Sequence, residues 1–233
     1  MKIFAISDLH LSINNPKPMN IFGEVWDNYI DEIFDDWREK VTDDDIVLLA
    51  GDFSWAMKLE DTESDFKLLQ NLPGKKILIR GNHDYWWKSI SGVRGFMPSG
   101  FYAIQNDALK FGKYIICGTR GWTVNEEGVE QTEEDKKIFD REVIRLELTL
   151  QTAQKLKTSE DEEIICMIHY PPCNFHRQDS AFTTLLEKYG VKKVVYGHLH
   201  GYKKASLWFE KNGVEYFLTS CDMVGNRLTE ISD

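Results

Sequence analysis

Short apolar runs alternate along the chain with longer segments in which apolar residues recur every three or four positions. Runs rich in Ile, Val and Leu predict strands that are buried on both faces. We predict five such strands, at Lys2–Ser7, Asp45–Ala50, Lys76–Arg80, Glu163–Ile168 and Lys192–Tyr196. The three- and four-residue spacing predicts amphipathic helices over 22–40, 60–71 and 133–157, the last with Thr132 as its N-cap.

Strand and helix alternate through most of the chain, which predicts an α/β fold. Two hairpins add further strands, one over Leu109–Cys117 turning at Gly112-Lys113 and one over Ser206–Ser220 turning at Asn212-Gly213. Because there are so many β segments, we expect two packed mixed β-sheets flanked by helices. No repeat or Pro/Ser-rich linker interrupts the sequence, so a single domain over 1–233 is the simplest interpretation.

Composition narrows the class of protein. A hydrophobic content of 42% is ample for a sizeable core, and the formal net charge of −10 argues against a surface that tracks long nucleic acids. It gives no reason to expect binding to anionic membranes either. The four cysteines are widely spaced and form no C-x-x-C pair; they are Cys117, Cys166, Cys173 and Cys221. Three of them lie in apolar, strand-like runs, which predicts buried free thiols in a reducing compartment, and we expect a cytoplasmic protein.

Potential metal ligands follow the predicted strands. The motifs are D-L-H at Asp8–His10, G-D at Gly51–Asp52, G-N-H-D at Gly81–Asp84, a lone His169 and G-H-L-H at Gly197–His200. In open α/β sheets the carboxyl ends of the strands form the edge where ligands bind, so distant residues converge there. Asp, Asn and His without Cys suit borderline-to-hard cations. Each motif alone is weak evidence, and it is the ordered set that predicts a metal site.

The order of these motifs resembles that of the calcineurin-like metallophosphoesterase superfamily, over residues 8–200. The resemblance implies a double-sheet αββα sandwich that holds two metal ions at one edge. It implies that one ion is bound by Asp8, His10 and His200, the other by Asn82, His169 and His198, and that Asp52 bridges both. Manganese, iron, zinc, nickel and cobalt all suit these ligands.

By the same resemblance we expect a phosphatase or phosphodiesterase that hydrolyses a small phosphomonoester or phosphodiester, nucleotide-like esters included. The nucleophile would be a hydroxide that bridges the two ions. Two divalent ions outweigh the negative charges of Asp8, Asp52 and one hydroxide, so the site keeps a positive charge for phosphate even in an acidic protein.

Four further residues are candidates for roles in turnover. His83 is expected to protonate the leaving oxygen or to stabilise its charge, with Asp84 accepting a hydrogen bond from the other ring nitrogen. The alternative is a purely structural His83–Asp84 pair. Arg120, in G-T-R-G-W, is a candidate phosphate contact, and Arg80 is a weaker one.

The tryptophans divide into two groups by position. We expect Trp26, Trp37 and Trp208 in the core. The others follow the ligand motifs and either stack on a flat substrate group or anchor loops; they are Trp55, Trp86, Trp87 and Trp122. The sixth histidine, His176, is expected at the surface.

Other functions are open at this point. A non-catalytic scaffold or binding protein on the same fold is one alternative, although the intact ligand set with His83 favours an enzyme. Protein Ser/Thr phosphatases carry G-D-x-V-D-R-G where this chain reads G-D-F-S-W-A-M over 51–57, which argues against that activity. A nuclease is disfavoured because no basic groove is evident. The oligomeric state is open.

Overall fold

The predicted apolar runs form strands, and the strands join into two sheets. The computed structural model describes residues 1–14, 16–202 and 205–232. The strands are β1 Ile3–Ile6, β2 Ile46–Leu49, β3 Lys75–Leu78, β4 Phe101–Ala103, β5 Ala108–Phe111, β6 Tyr114–Thr119, β7 Glu163–Ile168, β8 Lys193–Tyr196, β9 Trp208–Lys211, β10 Val214–Leu218 and β11 Thr229–Glu230. The α-helices are α1 Tyr29–Lys40, α2 Glu63–Gln70, α3 Ile90–Phe96, α4 Glu133–Leu156 and α5 Ala181–Lys188.

Both sheets are mixed, as expected. The first has the order β11-β1-β2-β3-β4, in which β1 to β4 are parallel and β11 is an antiparallel edge. The second has the order β5-β6-β7-β8-β10-β9, with β5 and β9 as antiparallel edges of a parallel centre. One buried apolar layer is shared by the two sheets. Leu48 of β2 and its partner in register, Ile77 of β3, belong to this layer together with Ile116 of β6.

Helices cover the outer face of each sheet, so the predicted arrangement of two packed sheets flanked by helices is confirmed. Trp37 of α1, Phe66 of α2 and Val93 of α3 pack on the first sheet. Leu146 of α4 and Phe182 of α5 pack on the second. None of the helices in the described ranges combines the length and apolar character that crossing a membrane requires.

Local signals placed several elements correctly. The side chain of Thr132 accepts a hydrogen bond from the backbone N–H of Asp135, as expected of the N-cap of α4. In the β9–β10 hairpin, Asn212 (φ 53°) and Gly213 (φ 79°) both adopt the left-handed conformation that a tight two-residue turn requires. The hairpin formed by β5 and β6 is also confirmed.

Two predictions from apolar spacing were wrong. The helix predicted over 22–40 begins only at Tyr29, because Gly23 (φ 132°) and Asn28 (φ 54°) interrupt the preceding chain, which forms two short 3₁₀ turns. Phe22 is accordingly 67% exposed. Trp208 is not in the core: it lies on the edge strand β9 and is 50% exposed.

Substitution of Trp37 tests how much the packing of α1 on the first sheet stabilises the protein. The Trp37 side chain is fully buried, and its indole N–H donates a hydrogen bond to the carbonyl of Pro73 at 2.9 Å. We predict that Trp37→Ala lowers the free energy of unfolding by about 3–5 kcal/mol, because it leaves a cavity under the sheet. Urea unfolding followed by circular dichroism measures this loss.

The half-exposed Trp208 supplies the matched control. Trp208→Ala should change the free energy of unfolding by no more than about 0.5 kcal/mol. Equal losses in the two variants would contradict the assignment of Trp37 to the core.

Candidate metal centre

The predicted ligands meet at one edge of the two sheets. Asp8, Asp52 and Asn82 follow the neighbouring parallel strands β1, β2 and β3. His169 and His198 follow β7 and β8, which are neighbours in the other sheet. A ring nitrogen of His169 lies 2.9 Å from the carbonyl oxygen of Ala50, so the strand ends of the two sheets are in direct contact.

One group of donor atoms is formed by Asp8, His10 and His200. Their ligand atoms lie within 4.8 Å of one another. The Nε2 atoms of His10 and His200 are 3.4 Å apart, and His200 Nε2 is also 3.4 Å from Asp8 Oδ1. The family resemblance implied this set as the ligands of one ion.

A second group surrounds the side-chain oxygen of Asn82. Asn82 Oδ1 is 2.7 Å from His169 Nε2 and 2.9 Å from His198 Nδ1. Asp52 Oδ2 lies 3.5 Å from His169 Nε2 and 3.8 Å from His10 Nε2. Asp52 therefore lies between the two groups.

The chemistry of these donors fits bound cations. Asp8, Asp52 and His169 are at most 1% exposed, and their ligand atoms also lie within 4.8 Å of one another. Two imidazole nitrogens that face each other at 3.4 Å, as in His10 and His200, repel through their lone pairs unless a proton or a cation lies between them. Oxygen and imidazole donors of this kind suit divalent transition metals.

The backbone is strained at four of the seven predicted ligands. Positive φ angles occur at Asp8 (60°), His10 (46°), Asp52 (51°) and His198 (72°). Non-glycine residues in such conformations cost roughly 1–3 kcal/mol each and cluster at functional sites. Here the left-handed turn after each strand directs the side chain into the shared edge.

Two glycines, Gly81 and Gly197, allow the carboxylates of Asp52 and Asp8 to lie close to the backbone of a neighbouring strand end. A Cβ atom at Gly81 would overlap the carboxylate and the backbone nitrogen of Asp52. A Cβ atom at Gly197 would overlap the side chains of Asp8 and Ser7. Glycine precedes both ligand motifs because no larger residue leaves room for the buried carboxylates.

The imidazoles divide into two protonation classes. Burial disfavours the charged form of His169, but Asp52 and Asp8 outweigh it and raise its pKa to about 9. Burial likewise opposes the charged form of His200, yet hydrogen bonds to Asp222 and Asp8 raise its pKa to about 10. Burial dominates at His10 and lowers its pKa to about 4. A cation must therefore displace protons from His169 and His200.

Asp222 is a residue that sequence reasoning missed. Its Oδ1 atom lies 2.8 Å from His200 Nδ1, and its Oδ2 atom accepts a hydrogen bond from the backbone of Gly201 at 2.9 Å. This contact turns the other ring nitrogen of His200 toward Asp8. A carboxylate in this place orients a histidine ligand and increases its basicity. It belongs to no recognisable motif.

The hydrogen bond expected between Asp84 and the His83 ring is not formed, and Asp84 has other partners. Its carboxylate accepts hydrogen bonds from the backbone N–H groups of Phe53, Ser54 and Gly81 and from the Trp86 indole. It therefore ties the loops after β2 and β3 together. Within the described residues, His83 Nδ1 has no hydrogen-bond partner, while the His83 backbone N–H donates to Asp52 Oδ1 at 2.8 Å.

The guanidinium group of Arg120 contacts other side chains of the protein. One guanidinium nitrogen lies 3.2 Å from Glu142 Oε1, and the group lies 4.8 Å above the Trp122 ring. Its carbonyl oxygen accepts hydrogen bonds from the backbone of His169 and Tyr170. Its expected contact with substrate stays a prediction, and so does that of Arg80.

The tryptophans after the motifs differ in burial. Trp86 and Trp87 are at most 1% exposed and anchor their loop in the core, which removes them as stacking surfaces. Trp55 stacks on the His10 ring with centroids 4.7 Å apart, and Trp122 lies 5.1 Å from the Tyr170 ring. His176 is at the surface, as predicted, with 78% of its side chain exposed.

Comparison with known proteins defines the class. Residues 1–202 match the sequence profile of the calcineurin-like phosphoesterases, and the chain belongs to that family. It is a metal-dependent phosphoric ester hydrolase, as expected from the motifs. No curated protein matches the chain in sequence.

Solved structures share the fold at low sequence identity. Phosphopantetheinyl hydrolase from Mycobacterium tuberculosis is 15% identical, with a TM-score of 0.58 over 99% of this chain and 95% of the other. A protein of unknown function from Aquifex aeolicus is 15% identical, with a TM-score of 0.51 over 98% of this chain and 95% of the other. At this identity the likeness extends to the fold alone.

We predict that Gly81→Ala weakens metal binding roughly tenfold or more, because the new methyl group displaces the Asp52 carboxylate. Manganese bound per chain, measured by elemental analysis after loading and dialysis, reports the loss. Gly95→Ala is the matched control, since apart from the neighbouring residues and backbone of its own helix a Cβ atom at Gly95 meets no atom of the described residues within 4 Å. Equal metal content in the two variants would refute the close-approach argument.

A second prediction concerns the orientation of His200. Asp222→Asn keeps the shape of the side chain but removes its charge, and we expect metal affinity to fall by about 10- to 100-fold. Competition with a chromogenic chelator measures the affinity. Asp35→Asn, at a carboxylate that is 82% exposed, should leave it unchanged. An unchanged affinity in Asp222→Asn would show that the contact does not support the ligand.

Proposed function

We propose that this protein hydrolyses a small phosphomonoester or phosphodiester at a dinuclear metal centre. The observation that carries the proposal is the presence of two donor groups that share Asp52 at one sheet edge. We assign Asp8, His10 and His200 to one ion, and Asn82, His169 and His198 to the other. The donors suit manganese, iron, zinc, nickel or cobalt.

Two ions in these positions would supply water activated for attack near neutral pH and would stabilise the charge on the phosphate oxygens. The chain's own contribution is charge balance and orientation. Asp8 and Asp52 are the only carboxylates in the proposed set, while the Asn82 amide and the imidazoles are neutral ligands. The set therefore leaves two divalent ions with positive charge to attract a phosphoester.

We assign His83 an action on the leaving oxygen. Its ring centroid lies 5.6 Å from that of His10 and 4.5 Å from that of Trp55, at the border of the donor cluster. Burial lowers the pKa of His83. We therefore assign it the donation of a hydrogen bond or a proton to the departing alkoxide, with the backbone bond to Asp52 fixing its position.

A small substrate fits the charge of the protein better than a polymer does. The formal net charge of −10 opposes binding of long nucleic acids, and the protein-phosphatase motif is missing after Asp52. The four buried free cysteines support the proposed cytoplasmic location. The phosphopantetheinyl hydrolase shares the fold, but at 15% identity it does not define the substrate.

Hydrolysis of p-nitrophenyl phosphate and bis(p-nitrophenyl) phosphate by stripped and manganese-reloaded protein tests the proposal. Turnover should depend on metal and be abolished in Asp52→Ala. His83→Ala should retain two metal ions but lose about 10²- to 10⁴-fold in kcat, most severely on esters with poor leaving groups. The preferred ester would show whether a monoester or a diester is the substrate class.

His176→Ala is the matched control, because this histidine is exposed and lies outside the donor groups. Its kcat should equal that of the unaltered protein. Metal-loaded protein that hydrolyses neither ester nor any other small phosphoester would contradict the proposed function. Unchanged turnover in His83→Ala would remove His83 from the reaction.

A further inference from the structure

A cavity of about 370 Å³ opens beside the second donor group. Two of its lining residues, Tyr170 and His198, connect it to the candidate centre, since their ring centroids are 4.1 Å apart. His198 Nδ1 is in turn 2.9 Å from Asn82 Oδ1. The cavity therefore begins where the donor group ends, and a substituent on a phosphate bound there can extend into it.

Much of the cavity wall is apolar. Val124 and Leu199 line it and pack against the core of the second sheet. Phe209, also in the lining, is only 6% exposed and stacks on the fully buried Tyr216 with centroids 4.7 Å apart and ring planes 8° apart. An aromatic wall supported from behind in this way is preformed, as ligand pockets usually are.

Two charged residues of the described lining, Glu126 and Arg177, contact other groups of the protein. Glu126 accepts a hydrogen bond from the backbone of Phe175 at 2.7 Å, and its other oxygen lies 3.6 Å from His176 Nε2. The guanidinium of Arg177 lies 4.5 Å above the Phe209 ring. Apolar groups make up the larger part of the described lining, and they are the main contact that the cavity offers to a ligand.

Cys173, in the same lining, behaves as a small apolar residue. It is 7% exposed, and burial raises the pKa of its thiol to about 11, so the thiol is uncharged at neutral pH. A neutral thiol is a weak nucleophile and a weak hydrogen-bond donor. Cys173 therefore adds to the apolar part of the lining.

We infer that this cavity binds the apolar part of an alcohol that is esterified to the phosphate. The substrate class is then a phosphoester of an alcohol with an alkyl chain or an apolar ring, rather than of a polyhydroxylated sugar. A sugar would place hydroxyl groups against Val124, Leu199 and Phe209, which offer them no hydrogen-bond partner, and this is unfavourable. The inference rests on the proposed function, because the metal centre must hold the phosphate.

Alkylphosphonates of increasing length test the inference without any turnover, since their carbon–phosphorus bond is not a phosphoester. Isothermal titration calorimetry on the manganese-loaded protein measures Kd for methyl-, butyl-, hexyl- and octylphosphonate. We expect Kd to fall by about fourfold for each methylene that is buried, and to level off when the cavity is full.

Variants that fill the cavity identify where the chain binds. Val124→Trp and Ala205→Leu, at lining residues from two different segments, should remove most of the length dependence and leave methylphosphonate affinity unchanged. Phe22→Ala is the control, because Phe22 is an apolar residue that is 67% exposed and outside the cavity lining. It should retain the full dependence on chain length.

The outcomes separate the inference from the proposed function. If methylphosphonate binds in a metal-dependent manner but Kd does not change with chain length, the inference is wrong and the proposed function stands. A length dependence that survives both filling variants, or that is lost in Phe22→Ala, also overturns it. If methylphosphonate does not bind the metal-loaded protein, the proposed function fails and the inference fails with it.

Discussion

Two buried carboxylates, Asp8 and Asp52, impose the main electrostatic constraint on this structure. Burial alone would raise the pKa of each and favour its neutral form, but surrounding histidines lower both values below the ordinary range. The carboxylates also repel each other. Positive charge near the two carboxylates therefore stabilises them: the raised pKa values of His169 and His200 favour protonated rings, and a bound metal ion would supply the charge in their place.

The sheets supply the rigidity that this concentration of charge requires. Strands β1, β2 and β3 are parallel neighbours, so their carboxyl ends reach the edge together. The buried carboxylate of Asp84 then joins the loops after β2 and β3 through three backbone N–H groups. Strained turns at Asp8 and Asp52 persist because the packed strands before them are fully buried and leave the chain no relaxed path.

Sequence reasoning succeeded where the signal is local. Ligands such as Asp8 and His169 directly follow apolar runs, so strand ends and ligand types can be recognised together. It missed Asp222, because that residue reaches His200 only through the pairing of β8 with β10, which no local pattern encodes. It also began α1 too early, at residue 22, because the apolar spacing continues on both sides of Asn28, whose left-handed conformation prevents the helix from extending toward the N-terminus beyond Tyr29.

Aromatic rings close the candidate metal centre on one side, and a cavity opens on the other. This difference affects which substrates can bind. On the side of the first donor group, Trp55 stacks on His10 and Trp26 lies 5.6 Å from His200, so aromatic rings close the site. Beside His198 the wall instead opens into the apolar cavity. In the proposed function the donor groups bind the phosphate, whereas the cavity, which is lined by residues of segments 123–129, 170–177, 196–202 and 205–209, selects among alcohols. Those segments carry no recognisable motif, which is why the sequence predicts the reaction better than it predicts the substrate.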